Sequence, residues 1–189
     1  MDYVENILRV WNNANASQIE KGMTWYNAAH NLANEIGNGD VWKGAGLIAV
    51  YSPLTPWWRN VELATTTAET GIARTDTLSN SAWLAHLIVN GAHPLDVIKG
   101  DKTRSFCQNI ALNGVSDSCT IDVHAFSIAH AEPIPSSRLT MGKRLYRTIS
   151  DAYKQAAQMN NVMATQMQAV TWVVWREMHP KKGVIDREA

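Results

Sequence analysis

Apolar residues recur at every third or fourth position in one segment after another, and glycine, asparagine or proline closes almost every such segment. Val4, Ile7, Leu8 and Trp11 set the spacing, and the Asn-rich residues 12–15 break it. Trp25, Ala29, Leu32, Ala33 and Ile36 keep one face until Gly37-Asn38-Gly39. Trp57, Val61, Ala64 and Ala68 line another face up to Gly71, and residues 81–89 run to Asn90-Gly91. A helix starting near Asp101 carries Phe106 and Ile110 to Asn113-Gly114; Leu145, Ile149, Ala152, Ala156 and Met163, Met167, Val170, Val174 mark the last two. This is the period of an amphipathic helix. No stretch alternates apolar and polar residues between hairpin turns, so the expected fold is all-α, a compact bundle of about nine or ten helices.

Local signals predict the ends. Ser17-Gln18-Ile19-Glu20 has capping-box spacing and predicts the start of the second helix. Ser52-Pro53-Leu54-Thr55-Pro56 contains two prolines, which force an extended turn and put Pro56 at a first helical position. Pro133 and Pro135 separate the final two helices from the rest, at a place where the composition turns basic. The expected organisation is one helical domain over 1–189. A two-lobe arrangement is compatible with it, with a core of 24–131, residues 1–23 packing with 132–178, and a loose charged tail over 179–189.

With 189 residues and 46% hydrophobic content, the chain buries a sizeable core without staples. Cys107 and Cys119 are too few for a disulfide framework, and no basic-then-apolar leader opens the sequence, so a cytoplasmic setting is expected. The apolar runs 45–51 and 170–175 are too short to span a bilayer, and no membrane partner is expected. Net charge is zero, but residues 1–131 carry 8 Lys/Arg against 12 Asp/Glu and residues 132–189 carry 9 against 5. Any grip on phosphate therefore has to come from a local stripe rather than from bulk charge.

One segment carries chemistry. In Thr120-Ile121-Asp122-Val123-His124, a carboxylate and an imidazole stand at the mouth of an apolar helical run, after a loop rich in Ser, Asp, Gly and Cys. An aspartate there caps the helix, which needs no catalysis. About twenty residues earlier, Gly100-Asp101-Lys102-Thr103 opens another helix. Gly-x-Lys-Thr followed by Ile-Asp-x-His, each opening a helix, resembles the helix-hairpin-helix DNA glycosylases of the endonuclease III type. Residues 95–130 carry most of that resemblance. The stretches Ser52-Pro53…Pro56-Trp57…Asn60 and Gln168 to Arg176 look like patches of a compact phage and bacterial branch.

The resemblance implies DNA as partner, no cofactor, Asp122 as the catalytic carboxylate and Lys102 at the position of the nucleophilic lysine of bifunctional members. Two features depart from the family: only Ile98-Lys99-Gly100 stands where the glycine-rich phosphate grip would be, and the four-cysteine cluster loop is missing. Breaking a base–sugar bond builds positive charge on the sugar, which an ionised Asp122 would stabilise. Trp57, Trp58 and Asn60 are candidates for holding the extruded base, with Trp57 the more core-facing tryptophan and Trp58 the more exposed. His124 is a candidate for orienting Asp122 or contacting a phosphate. Arg104, Lys143, Arg144 and Arg147 are candidate contacts to the DNA backbone, although a basic helix face is ordinarily just solvated. His30, His86, His93, His130 and His179 have no zinc spacing, so no metal site is expected. Cys119 would be reactive only beside a cation that lowered its pKa. Two other functions fit the same residues: a phage DNA base-hypermodification transferase joining an amine or amino acid to an activated thymine, and a non-catalytic DNA-binding protein.

Overall fold

The structure, a computed structural model, describes residues 2–180. Its helices are α1 (Tyr3–Asn12), α2 (Ala16–Ile36), α3 (Val41–Tyr51), α4 (Trp57–Thr70), α5 (Ser79–Val89), α6 (Pro94–Val97), α7 (Asp101–Ala111), α8 (Val123–His130), α9 (Lys143–Met159) and α10 (Ala164–Met178), with a 3-10 turn over Ser136–Arg138. The fold is all-α, and no strand occurs among the described residues. No helix among them is long and apolar enough to cross a membrane. The expected loose tail beyond Pro180 lies outside the described residues.

The chain forms two compact units. Among the described residues, one combines 2–27 with 114–180; the other is Ala28–Asn113. The division therefore falls at 113/114 and not near 131: α8 packs with α1 and α10 of its own unit.

In the first unit, α1, α8, α9 and α10 enclose Ile7, Ile121, Ile128, Ile149, Tyr153, Met167 and Val174. Each fully buried aliphatic side chain of this kind contributes on the order of 1.5–3 kcal/mol. Gly22 of α2 lies against α10 so closely that a Cβ would stand 2.4 Å from Val170 Cα. That approach brings the next turn of α2, Trp25 and Tyr26, against α10.

In the second unit α3 is central. Gly44 to Tyr51 are all buried, so this helix is apolar on every side, as a helix enclosed by neighbours has to be. It packs against α4, α5 and α7. Gly44 admits the carbonyl of Ala33 and Gly46 admits Pro94, where a Cβ would collide at 1.8 and 2.5 Å.

Three local expectations are corrected. The reciprocal cap of α2 is made by Asn15 and Gln18, each amide donating to the other's side chain at 2.9 Å, and not by Ser17 and Glu20. Pro56 is the N-cap of α4, one position earlier than expected. The buried stripe of α4 is Asn60, Leu63, Ala64 and Thr67, which leaves Trp57, Val61 and Ala68 half-buried at its margin.

Candidate functional site

Asp122 is the N-cap of α8, and its Oδ1 accepts the Ala125 N–H at 2.8 Å. Its side chain is half-buried, neither sealed in the core nor projecting into solvent. Capping explains one oxygen of the carboxylate. It does not explain the scaffold behind it.

Buried tyrosine hydroxyls from two helices contact the segment on both sides of Asp122. Tyr146 of α9 donates to the Cys119 carbonyl at 2.8 Å and accepts the Ile121 N–H at 3.2 Å. Tyr26 of α2 reaches Thr120 Oγ1 at 3.3 Å and Gln168 Oε1 of α10 at 3.1 Å. Tyr153, two turns beyond Tyr146, stands 3.5 Å from the Ala125 carbonyl. The segment is thereby fixed at residues 119, 120, 121 and 125, so the carboxylate between them has little freedom to wander.

The electrostatics of this scaffold are those of a buried, neutral set. Burial is the main reason that the Tyr153 hydroxyl and the Cys119 thiol titrate well above their ordinary values, and the Asp122 charge adds to both. Lys154 pulls Cys119 the other way, but desolvation outweighs it. Cys119 is thus an inert thiol rather than a reactive one, and Cys107, pushed up to about 12 by burial, is the same.

His124, two residues into α8, meets the edge of Trp172 at 6.3 Å between ring centroids. Arg176 lays its guanidinium over the Trp172 ring, 4.5 Å from the centroid, and Trp25 packs at 6.3 Å on the same indole. Gln168, Trp172 and Arg176 are spaced by four along α10 and so share one face. In the same unit as the carboxylate there is thus a half-buried patch of rings and one cation, the kind of surface on which planar ligands stack.

The remaining candidates separate by unit. Lys143, Arg144 and Arg147 are exposed on the first turns of α9 in the same unit as Asp122. No acidic residue precedes them there, and the N-cap Gly142 provides no side chain. Cations at the positive end of a helix dipole cost stability. Lys102 and Arg104 lie on α7 in the second unit, both half-buried. Arg104 points inward to close the α6–α7 turn, donating from Nη1 to the Leu95 carbonyl and, at 3.2 Å, to that of Ile98. On α4 of the same unit Trp58 is exposed and Trp57 half-buried, while Asn60 is only 2% exposed, with no hydrogen-bond partner for Oδ1. Among the described residues no group of three or more His, Cys, Asp or Glu side chains is arranged to hold a metal ion. A surface depression of about 470 Å³ is bordered by Asp2, Tyr3, Thr148 and Asp151 and does not include Asp122.

A family model matches residues 1–179. The chain belongs to DUF7178, a family of unknown function. No curated protein and no solved structure matches it. Membership of DUF7178 brings no activity with it, so what the site does rests on its residues. Those that the sequence did not single out as site residues are Tyr26, Tyr146 and Tyr153, which hold the Asp122 segment, and Trp172 and Arg176, which form the stack. The four-residue spacing of Gln168, Trp172 and Arg176 was the one signal that could have pointed to the latter.

Proposed function

We propose that this protein acts on a base in DNA as a glycosylase-type enzyme, with Asp122 as its essential carboxylate. The observation that carries the reading is the immobilisation of the segment before Asp122: Tyr146 holds the backbone of residues 119 and 121 and Tyr26 the side chain of Thr120, while the carboxylate itself stays half-buried. A helix cap gains about 1 kcal/mol and needs no such framework; a carboxylate that must meet a developing charge does. As the C1′–N bond breaks, the base leaves with the electron pair and takes up a proton, the sugar becomes cationic, and Asp122 stabilises that cation until water adds to C1′.

Two further features support DNA as the partner. The Trp172–Arg176 stack with His124 offers aromatic and cationic faces to an unstacked base. The basic start of α9 accepts a stability cost that a phosphate would offset. In this reading His124 contacts base or phosphate, Lys143, Arg144 and Arg147 contact the DNA backbone, and Trp57 and Trp58 remain candidates for base contacts. Lys102 is the candidate nucleophile of a second route in place of water: its neutral amine would add to C1′ and lose a proton as the base leaves, the C1′–O4′ bond would then break with a proton going to O4′, and borohydride would reduce the resulting Schiff base to a stable adduct.

Mass spectrometry of nucleosides and free bases, after incubation with genomic and phage DNAs that differ in base modification, tests the reading. Free base together with abasic sites is the expected product. A base that gains mass without an abasic site would mark group transfer instead, and unchanged DNA would mark binding alone.

A further inference from the structure

Helix α5 packs on α3, α4 and α6 and buries Ser81, Ala85 and Ile88 against them. Its other side is open. Asn80, Trp83 and His86 are exposed, Trp83 by 58% of its surface, and their spacing of three puts them on one stripe. Residues 77–95 contain no Asp, Glu, Lys or Arg. Every other described helix with an exposed residue carries at least one such charge, whereas α5 is as free of charge as α8, which has no exposed residue. A helix side that meets water ordinarily carries charged residues. Helix α5 therefore has the composition of a covered helix on a side that this chain leaves uncovered.

The chemistry of the stripe narrows what can cover it. Near the middle of the helix the Trp83 and His86 rings stack, 5.8 Å apart at 24°, as a flat aromatic surface. Uncharged polar residues, Asn80 and Asn90, stand toward the two ends, and Leu78, the N-cap, is 45% exposed. An aromatic centre with a polar margin is the anatomy of a protein interface. A nucleic acid needs cations for its phosphates, and an interfacial membrane helix needs them for its headgroups; the stripe has neither. Just before α5 in sequence, Arg74 and Asp76 are paired with each other, and Asp76 also with Arg59, so this approach offers no unmatched charge. A face that meets a different protein is free to use charge for steering and register. A face that meets its own copy across a twofold axis is not, because every charge near the axis comes opposite its own kind.

We infer that α5 is a self-association face, through which two copies of this chain pair about a twofold axis passing near Trp83 and His86. The stripe is only ~16 Å long, which places the pairing among small, micromolar interfaces. The inference goes beyond the proposed function and does not depend on it.

Sedimentation equilibrium of the full chain without DNA, from about 1 to about 500 µM, tests it. The weight-average mass of the parent should climb from one chain toward two across that range. Trp83→Lys should raise the dissociation constant roughly thirtyfold or more, with a melting temperature close to that of the parent because the indole is exposed. Asn80→Lys puts a charge on the same stripe without touching the indole and should weaken pairing in the same direction. Met159→Lys puts the same charge on a 65% exposed apolar residue of α9 and should associate as the parent does. A parent that stays a single chain over the whole range would overturn the inference. So would association that survives both lysine variants on α5, or that is lost equally in Met159→Lys. The parent series and Asn80→Lys decide the matter even if Trp83→Lys fails to fold.

Discussion

The Tyr146 hydroxyl donates to the Cys119 carbonyl at 2.8 Å, three residues before the capping aspartate. Because the same oxygen accepts the Ile121 N–H, one side chain of α9 sets the approach of the chain to Asp122. Tyr146→Phe leaves a buried carbonyl and a buried amide unpaired, which costs roughly 1–3 kcal/mol. Tyr153→Phe is the comparison, since it removes a buried hydroxyl from the same helix that stands 3.5 Å from the Ala125 carbonyl, after Asp122 rather than before it. Thermal denaturation should show both variants weakened. Turnover should fall clearly further in Tyr146→Phe, through kcat with KM little changed; equal turnover in the two variants would reduce the hydroxyl to a packing role.

The Arg176–Trp172 stack predicts a loss of binding that separates shape from charge. Trp172→Ala removes the ring on which a base would stack, worth about 1–3 kcal/mol per base, so affinity for single-stranded DNA should drop at least several-fold. Arg176→Lys keeps the charge and loses the plane. If stacking matters, the lysine variant binds more weakly than the parent at every salt concentration; if only charge matters, the two coincide.

The start of α9 predicts opposite signs for stability and binding. Lys143→Glu with Arg144→Glu turns an unfavourable interaction with the helix dipole into a favourable one, and should raise stability by about 0.3–1 kcal/mol per site. The same pair of changes should weaken DNA binding and flatten the plot of log affinity against log salt by roughly 0.9 for each phosphate that is no longer neutralised. An unchanged salt slope would return this stripe to an ordinary solvated face.

Both thiols predict a weakening of the fold in alkali. Burial raises the folded pKa of Cys107 to about 12 and that of Cys119 further. The unfolded thiols titrate near ~8.5. Above that pH the unfolded state has released protons that the folded state still holds, so stability falls as pH rises, by at most ~1.4 kcal/mol per pH unit for each thiol. Replacing both cysteines with alanine should flatten the alkaline limb of stability against pH, measured by urea denaturation from pH 7 to 11. A limb of unchanged slope would assign the effect to other groups.

Much of the fold was legible because its signals are local. Spacing and terminators such as Gly71, Asn90-Gly91 and Asn113-Gly114 fall at or within a few residues of the ends of α4, α5 and α7. The cap of α2 was misplaced because Asn15 and Gln18 do the same work as a Ser/Glu pair with a different spelling. The face of α4 was misread because tryptophan counts as apolar and asparagine as polar, whereas here Asn60 is inside and Trp57 at the margin. Asp122 at the mouth of α8 was readable from its place before an apolar run. The tyrosines that hold it were not: residues 26, 146 and 153 are far apart in sequence, and periodicity says that a tyrosine faces inward, not where its hydroxyl ends.

The central claim is that the Asp122 carboxylate acts in chemistry in addition to capping α8. Asparagine caps a helix about as well as aspartate and makes the same bond to the Ala125 amide, so Asp122→Asn removes the charge and little else. The decisive measurement is base release under single-turnover conditions by parent and Asp122→Asn, on a DNA that the parent processes, with affinity and melting temperature determined alongside. The account predicts a drop of at least a hundredfold in rate with DNA binding and melting temperature nearly unchanged; parent-like release by Asp122→Asn would contradict it.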